Sequence, residues 1–339
     1  MEPWSREHQG QLDELDIESE LLRGNPLGDP HVREVPVYLP PSYGKVRGRR
    51  YPFLLFLPGF TGGGRTLLSH HPWKETLVER FERLILGGKA KECVLAIADC
   101  FTSFGGSQYL NSSATGRYED HVLELVEYFT DKFGLLDAPE SRALLGKSSG
   151  GFGALTLGMR HPDVWAHVGS HSGDALFDVT YGLDLPKYVR VLGKHGGDPA
   201  RFTRDFLASK RKDLFDHDAV NIIAMSACYA PNPRSPVGFD FPCDPRTSEK
   251  VPAVWKRWLA LDPTLAAPRH RANLKKLRTL FFDAGRRDEV YLEYGARKLS
   301  AVLKRLGVPH IHEEHEFGHR DMNDRYDRSL SLLSARLSR

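Results

Sequence analysis

A serine stands at the centre of a glycine-rich turn in the middle of the chain. Residues 146–150 read Gly-Lys-Ser-Ser-Gly, a G-x-S-x-G motif around Ser148, after an apolar run and before a run of small residues. A strand that turns sharply into a helix strains the backbone at the serine and requires glycines, because side chains would clash there. The turn lifts the hydroxyl above the sheet and directs the N–H of Ser149 toward developing negative charge. The motif predicts Ser148 as a nucleophile for acyl transfer.

A serine is a weak nucleophile alone and needs a base and an orienting acid, in the chain order serine, carboxylate, histidine. Asp288 lies beyond the carboxyl end of a predicted strand that begins at Thr279, and His319 follows a second predicted strand over residues 310–317. Asp283 is the competing carboxylate, and its place nearer the strand end favours a role in capping the turn. We therefore predict Ser148, Asp288 and His319 as the catalytic residues.

The sequence at the end of the predicted strand over residues 310–317 also matches a zinc-binding motif. Residues 315–319 read His-Glu-Phe-Gly-His, and H-E-x-x-H binds zinc only on a helix, where the two histidines share a face. Here Gly318 interrupts the run, Pro309 precedes it, and the alternation between them has a period of two residues. We therefore expect no metal site and no cofactor.

A second backbone donor for a reaction oxyanion is expected from the loop after an earlier strand. Residues 57–64 read Leu-Pro-Gly-Phe-Thr-Gly-Gly-Gly, and their glycines allow the backbone to approach a ligand closely. The N–H of Phe60 is our first choice and that of Thr61 the second, paired with the N–H of Ser149. The alternative is that this loop is a flexible turn with no role in catalysis.

Four polar or aromatic residues are candidates for the pocket wall. We assign substrate-binding roles to Thr61, Tyr109 and Asn111, although the last two could simply form a turn after Gly105-Gly106-Ser107. Asp174 is expected to cap a helix, with a contact at the mouth of the site as the alternative.

Predicted strands and helices, which position these residues, alternate along the chain. Apolar runs at residues 53–57 and 93–98 are typical of strands buried on both faces. Apolar residues recur at helical spacing from Val122 and again from Leu292, and we expect the second of these helices to end at Gly307. This alternation predicts an α/β fold with a mostly parallel central sheet and helices on both faces.

Two segments depart from the alternation. Residues 1–30 are polar and turn-rich and are expected to be a leader segment on the surface, followed by one domain over residues 31–339. Residues 174–278 are rich in proline and aromatic residues, with only short helical pieces such as Pro199 to Ser209. A segment of that length between two sheet elements predicts a lid-like insertion.

Composition excludes several classes of protein. The 339 residues contain 47 basic and 44 acidic side chains, a net charge of +3 without the basic field that nucleic acids require. No apolar run approaches the ~20 residues that cross a bilayer, and no secretory signal is evident at the N-terminus. The four cysteines show no paired spacing. We expect a cytoplasmic protein that binds neither nucleic acid nor membrane.

From Arg33 to the C-terminus, the chain resembles the esterase family of the α/β-hydrolase superfamily, which includes S-formylglutathione hydrolase, feruloyl and enterochelin esterases and mycolyltransferases. Six blocks carry the resemblance: Val37–Pro41, Pro58–Phe60, Tyr118–Asp120, Gly146–Gly151, His161–Asp163 and Ser172–Gly173. The resemblance implies the α/β-hydrolase fold, a nucleophile at Ser148, a base at His319, an acid at Asp288, and oxyanion donors at Phe60 and Ser149.

Together these features predict a serine carboxylic-ester hydrolase that acts on a small-molecule ester through an acyl-enzyme. Two alternatives remain open at this point. An acyltransferase would use the same triad with an alcohol as the acceptor, and a non-catalytic binding protein would keep only the hydrolase fold.

Overall fold

A central sheet of eight strands organises the fold, with a separate two-stranded ribbon beside it. The computed structural model describes residues 8–70 and 73–338. The strands in chain order are β1 (Gln11–Glu18), β2 (Val32–Leu39), β3 (Phe53–Leu57), β4 (Val94–Ile97), β5 (Asn111–Ser112), β6 (Gly116–Arg117), β7 (Arg142–Lys147), β8 (His167–His171), β9 (Thr279–Gly285) and β10 (Ile311–His315). The sheet order is β1-β2-β4-β3-β7-β8-β9-β10, and β5 pairs with β6.

Helices connect the strands and cover the sheet. In the described ranges the α-helices are α1 (Gly64–Leu68), α2 (Leu77–Leu86), α3 (Tyr118–Phe133), α4 (Ser149–Arg160), α5 (Phe177–Thr180), α6 (Leu185–Lys194), α7 (Pro199–Ala208), α8 (His217–Tyr229), α9 (Pro252–Leu259), α10 (Pro263–Ala266), α11 (Arg271–Leu274), α12 (Leu292–Leu306) and α13 (Tyr326–Arg336). Short 3₁₀ helices occupy Pro139–Ser141, Lys212–Leu214 and Met322–Arg325. Among the helices of these ranges, none has the length and apolar character that crossing a bilayer requires.

The six strands β3, β4 and β7 to β10 run parallel, whereas β1 and β2 join the edge antiparallel to their neighbours. β3 is buried on both faces: Leu55 belongs to a core with apolar residues of α3, α4 and α12, and Phe56 to a core with those of α2 and α13. This two-sided packing, which β4 shares, explains why β3 and β4 are continuous apolar runs. The predicted fold class is confirmed.

The N-terminal segment differs from the prediction of a surface leader. Residues 1–7 lie outside the described ranges, but Gln11–Glu18 form the edge strand β1, paired with all eight residues of β2. Only Ile17 of this strand is fully buried. A polar strand is stable at this edge because backbone hydrogen bonds supply the pairing and one face remains in water.

The insertion between β8 and β9 contains the helices α5 to α11. It has a core of its own, rich in aromatic residues, that also includes Phe152 of α4. The rings of Phe177 and Tyr229 pack on Phe152 at centroid distances of 6.0 and 5.7 Å. The insertion is therefore anchored on the helix that follows Ser148.

Candidate active site

The turn between β7 and α4 holds Ser148 in a strained conformation. Its φ and ψ are +57° and −124°, a region that residues with a side chain rarely adopt. A Cβ on Gly150 would lie 1.9 Å from the carbonyl oxygen of Leu57, and one on Gly146 would lie 2.1 Å from the carbonyl oxygen of Gly150. Both positions therefore require glycine, which is the physical basis of the G-x-S-x-G spacing.

Three side chains from distant parts of the chain meet above this turn. Nε2 of His319 lies 3.1 Å from Oγ of Ser148, although the two residues are 171 positions apart. Nδ1 of the same ring lies 3.0 Å from Oδ2 of Asp288. Asp288 and His319 follow β9 and β10, so parallel strands deliver all three groups to one edge of the sheet. The structure thus brings together the three residues that the sequence singled out as catalytic.

The surroundings of Asp288 favour its ionised form. Burial alone would raise its pKa, but hydrogen bonds from His319 and from the N–H of Val290, at 2.9 Å, outweigh burial and lower the pKa. An ionised Asp288 accepts the Nδ1 proton of His319. Nε2 is then left as a proton acceptor facing Ser148.

Asp283, the competing carboxylate, has a different environment. Its side chain is fully buried, with Oδ1 2.6 Å from Nδ1 of His171 and Oδ2 2.9 Å from Nε of Arg325. Burial would raise its pKa, and these two partners lower it instead. Asp283 therefore belongs to an ion-pair network beneath the site instead of capping the turn as expected.

The loop after β3 approaches Ser148 closely. A Cβ on Gly59 would lie 3.3 Å from that of Ser148. Within the described residues the backbone N–H groups of Phe60 and Ser149 donate to no protein acceptor, whereas the N–H of Thr61 donates to the carbonyl oxygen of Gly105 at 2.8 Å. Of the two choices in this loop, only the N–H of Phe60 is thus available to a ligand.

A cavity of about 700 Å³ opens at these groups. Ser148, His319, Phe60 and Thr61 line it, as does Ser149. The insertion contributes a large part of the wall, with Asp174, Thr180, Tyr181, Leu183, Asp184, Lys187, His217, Asp218 and Asn221. A volume of this size accommodates a small organic ester.

Two of the predicted substrate-binding residues lie outside the cavity wall. Tyr109 is buried, and its hydroxyl donates to the carbonyl oxygen of Pro58 at 2.5 Å, beneath the loop that carries Phe60. Asn111 is exposed in β5 and accepts a hydrogen bond from the N–H of Asp120 at 3.2 Å. Tyr109 supports the loop from behind, so its contact with the site is indirect.

The histidines of the zinc-like motif do not share a helix. His315 ends β10, and His319 lies in the following loop. Within residues 8–70 and 73–338, no group of three or more His, Cys, Asp and Glu side chains could hold a metal ion.

Lys147 and Tyr181 are among the cavity residues that the sequence did not single out. Lys147, next to Ser148, lines the cavity, and burial lowers its pKa despite the opposing effect of nearby carboxylates. Tyr181 lines it from the insertion. Their orientation depends on packing between distant segments, which no local pattern encodes.

A family model described as "Putative esterase" matches residues 30–306, which is most of the chain. The chain belongs to this esterase family. It is accordingly a carboxylic-ester hydrolase with the α/β-hydrolase fold. Asp288 lies within the matched residues, and His319 follows them.

Solved structures of esterases share the fold of this family member. A ferulic acid esterase is 18% identical with a TM-score of 0.61, and the match covers 98% of this chain and 100% of that one. A fluorophosphonate-binding serine hydrolase of Staphylococcus aureus is 16% identical, with a TM-score of 0.58 and coverage of 96% and 98%. An S-formylglutathione hydrolase of Agrobacterium tumefaciens is 13% identical, with a TM-score of 0.59 and coverage of 98% of both chains. No curated protein sequence matches the chain.

Proposed function

We propose that this esterase uses Ser148 as nucleophile, His319 as general base and Asp288 as the acid that orients the imidazole. The observation that carries the proposal is the single ring of His319, within 3.1 Å of the Ser148 hydroxyl and 3.0 Å of the Asp288 carboxylate. The lowered pKa of Asp288 supports an ionised partner that holds the imidazole in one tautomer and stabilises the imidazolium.

In the first step, Oγ of Ser148 bonds to the ester carbonyl carbon while its proton moves to Nε2 of His319. The carbonyl π electrons move to oxygen and form a tetrahedral oxyanion. When this intermediate collapses, the bond to the alcohol oxygen breaks and the leaving group takes the proton from His319. The products of this half-reaction are the free alcohol and an ester of Ser148.

The oxyanion requires donors that are in place before the reaction. The N–H groups of Phe60 and Ser149 are suited to this role because neither has a protein acceptor in the described ranges. Ser149 is also the first residue of α4, where the helix dipole favours negative charge. Loss of one such donor lowers rates by about 10²–10³ in other hydrolases.

In the second step, His319 removes a proton from water as the water oxygen attacks the acyl carbon. The second tetrahedral intermediate collapses with proton return to Oγ of Ser148, and the carboxylic acid leaves. In both steps one proton passes through Nε2 of His319 and no electrons are exchanged with a further group, so no cofactor takes part in this scheme.

The proposal is tested with a fluorophosphonate probe and with p-nitrophenyl butyrate. We expect the probe to attach to the peptide that contains Ser148, as read by mass spectrometry. Ser148→Ala should prevent labelling and lower kcat by about 10⁴ or more, because the remaining residues of a triad contribute little without the nucleophile.

Ser113→Ala is the matched control, because Ser113 is an exposed serine in the turn between β5 and β6. This variant should label and turn over as the wild type does. Normal labelling of the Ser148→Ala variant, with the modification found on another residue, would contradict the proposal.

A further inference from the structure

Asp174 is a carboxyl group in the wall of the catalytic cavity that the proposed mechanism does not use. It lies two residues after Ser172, on the loop that follows β8. Gly173 packs so closely on Gly151 of α4 that a Cβ there would lie 2.8 Å from the Gly151 carbonyl carbon. This contact fixes Asp174 beside the helix that begins at Ser149, and Asp174 interacts electrostatically with His319.

Only one oxygen of this carboxyl group has protein partners. Oδ2 accepts hydrogen bonds from the hydroxyl of Tyr181 at 2.7 Å and from the amide nitrogen of Gln108 at 3.1 Å. Oδ1 forms no hydrogen bond with any described residue, and it is not among the side-chain atoms closed off from solvent. Because Asp174 is only 6% exposed and lines the cavity, its free oxygen is directed at the cavity.

The residues that hold Asp174 are buried. Tyr181 and Gln108 are 3% and 1% exposed, and the amide nitrogen of Gln108 also lies 2.6 Å from the hydroxyl of Tyr229. No ion pair joins Asp174 to a cation in the described ranges, although Lys147, Lys187 and Arg320 line the same cavity. A buried polar atom without a hydrogen-bond partner costs stability, and Oδ1 of Asp174 has no such partner among the described residues.

A hydroxyl group is the ligand chemistry that fits this arrangement. Burial raises the pKa of Asp174, so both protonation states have to be considered. Ionised, Oδ1 accepts a hydrogen bond; protonated, it donates one, because Oδ2 already accepts from Tyr181 and Gln108. A hydroxyl both donates and accepts, and it therefore satisfies Oδ1 in either state.

We infer that Asp174 recognises a hydroxyl group of the ester substrate and that the enzyme prefers hydroxylated esters to their unsubstituted counterparts. This inference rests on the proposed function, since it places the substrate at Ser148. A buried hydrogen bond of this kind contributes about 10- to 100-fold to kcat/KM, because the unsubstituted ester leaves Oδ1 unpaired.

Two matched pairs of esters test the inference and distinguish the portion that carries the hydroxyl. Methyl 3-hydroxybutyrate against methyl butyrate tests the acyl portion, and glyceryl monobutyrate against propyl butyrate tests the alcohol portion. The ratio of kcat/KM within each pair is measured by titration of the released acid. Both members of a pair are assayed on one preparation, so the ratio does not depend on the fraction of folded enzyme.

The wild type should prefer the hydroxylated member of at least one pair by about tenfold or more, and Asp174→Ala should remove that preference. Asp184→Ala is the matched control: Asp184 also lines the cavity, but its carboxylate is paired with Lys187 at 2.9 Å. This control should keep the wild-type ratio.

Three results would overturn the inference. The first is a wild-type ratio near one in both pairs. The second is an equal loss of kcat/KM on the hydroxylated and the unsubstituted ester in Asp174→Ala, which would mean that Asp174 acts through His319. The third is a stronger preference for methyl 3-aminobutyrate than for the hydroxy ester, which would identify a cationic ligand. Absence of all hydrolysis and of fluorophosphonate labelling would instead refute the proposed function, and this inference with it.

Discussion

Two isosteric substitutions separate the roles of Asp283, which lies in β9, and Asp288, which follows it. Asp288→Asn removes the charge that faces Nδ1 of His319, whereas Asp283→Asn removes the charge between His171 and Arg325. We expect the first substitution to lower activity at nearly unchanged stability. The second should lower stability before it affects the chemistry.

The surroundings of each carboxylate determine how large the loss of kcat and the loss of stability should be. An amide in place of the triad acid favours the wrong imidazole tautomer and lowers kcat by about 10⁴. Removal of one partner from a buried ion pair costs about 3–5 kcal/mol. Arg325 keeps a second partner, Glu313, at 2.5 Å, so we take the lower end of that range for Asp283→Asn. In a chain of 339 residues, about 3 kcal/mol lowers Tm by roughly 4 °C.

Both variants are measured by thermal unfolding and by hydrolysis of p-nitrophenyl butyrate at a temperature well below either Tm. Asp288→Asn should unfold within about 2 °C of the wild type, because the N–H of Val290 keeps an acceptor in the amide oxygen. The reverse pattern, with Asp283→Asn inactive at wild-type Tm and Asp288→Asn active, would refute the assignment of the acid.

Three further predictions follow from the same structure. The pKa of Asp283 is lowered in the folded protein, so its stabilisation is complete above the ordinary aspartate pKa; the Tm difference between the wild type and Asp283→Asn should narrow as the pH falls below about 4. Gly150→Ala should lower kcat/KM by at least about 10², because its Cβ would displace the carbonyl of Leu57. Its control is Gly193→Ala: a Cβ at this position in α6 meets no other atom, so this substitution should raise the free energy of unfolding by about 0.5–1 kcal/mol. The four cysteines are buried, and burial raises the pKa of Cys243 to about 12; dithionitrobenzoate should therefore react with none of them in the native protein and with all four after unfolding.

The sheet and the three converging side chains could be predicted because their signals are local. The apolar run at residues 53–57 coincides with β3, and the stripe that begins at Leu292 coincides with α12 up to its end at Gly307. Carboxyl ends of parallel strands meet at one edge of a sheet, so the positions of Asp288 and His319 after two strands were sufficient to place them near Ser148.

The part of the cavity wall beyond Phe60, Thr61 and the catalytic residues could not be predicted, because it depends on contacts between distant segments. Tyr109 has a positive φ of 56° and points under the loop of Phe60, where Gly153 leaves space for its ring. Asp174 was expected to cap a helix, and its partners Gln108 and Tyr181 come from two different segments. The polar sequence of β1 gave no sign of a strand, because an edge strand needs few buried side chains.

The anchoring of the insertion on Phe152 has a consequence for how this scaffold could be modified. The buried apolar residues of α6 to α9 belong to the aromatic core and not to the two cores that cover the sheet, whereas α10 and α11 supply Ala266 and Leu274 to one of the latter. The helices α6 to α9 can therefore be exchanged or shortened with little repacking of the strands that hold the catalytic groups. Such grafts would have to preserve the packing on Phe152, and also that on Phe104 and Phe60, which belong to or pack against the same core. The part of the cavity wall on these helices, with Lys187 on α6 and Asn221 on α8, is thus open to redesign while the catalytic groups on the sheet are kept.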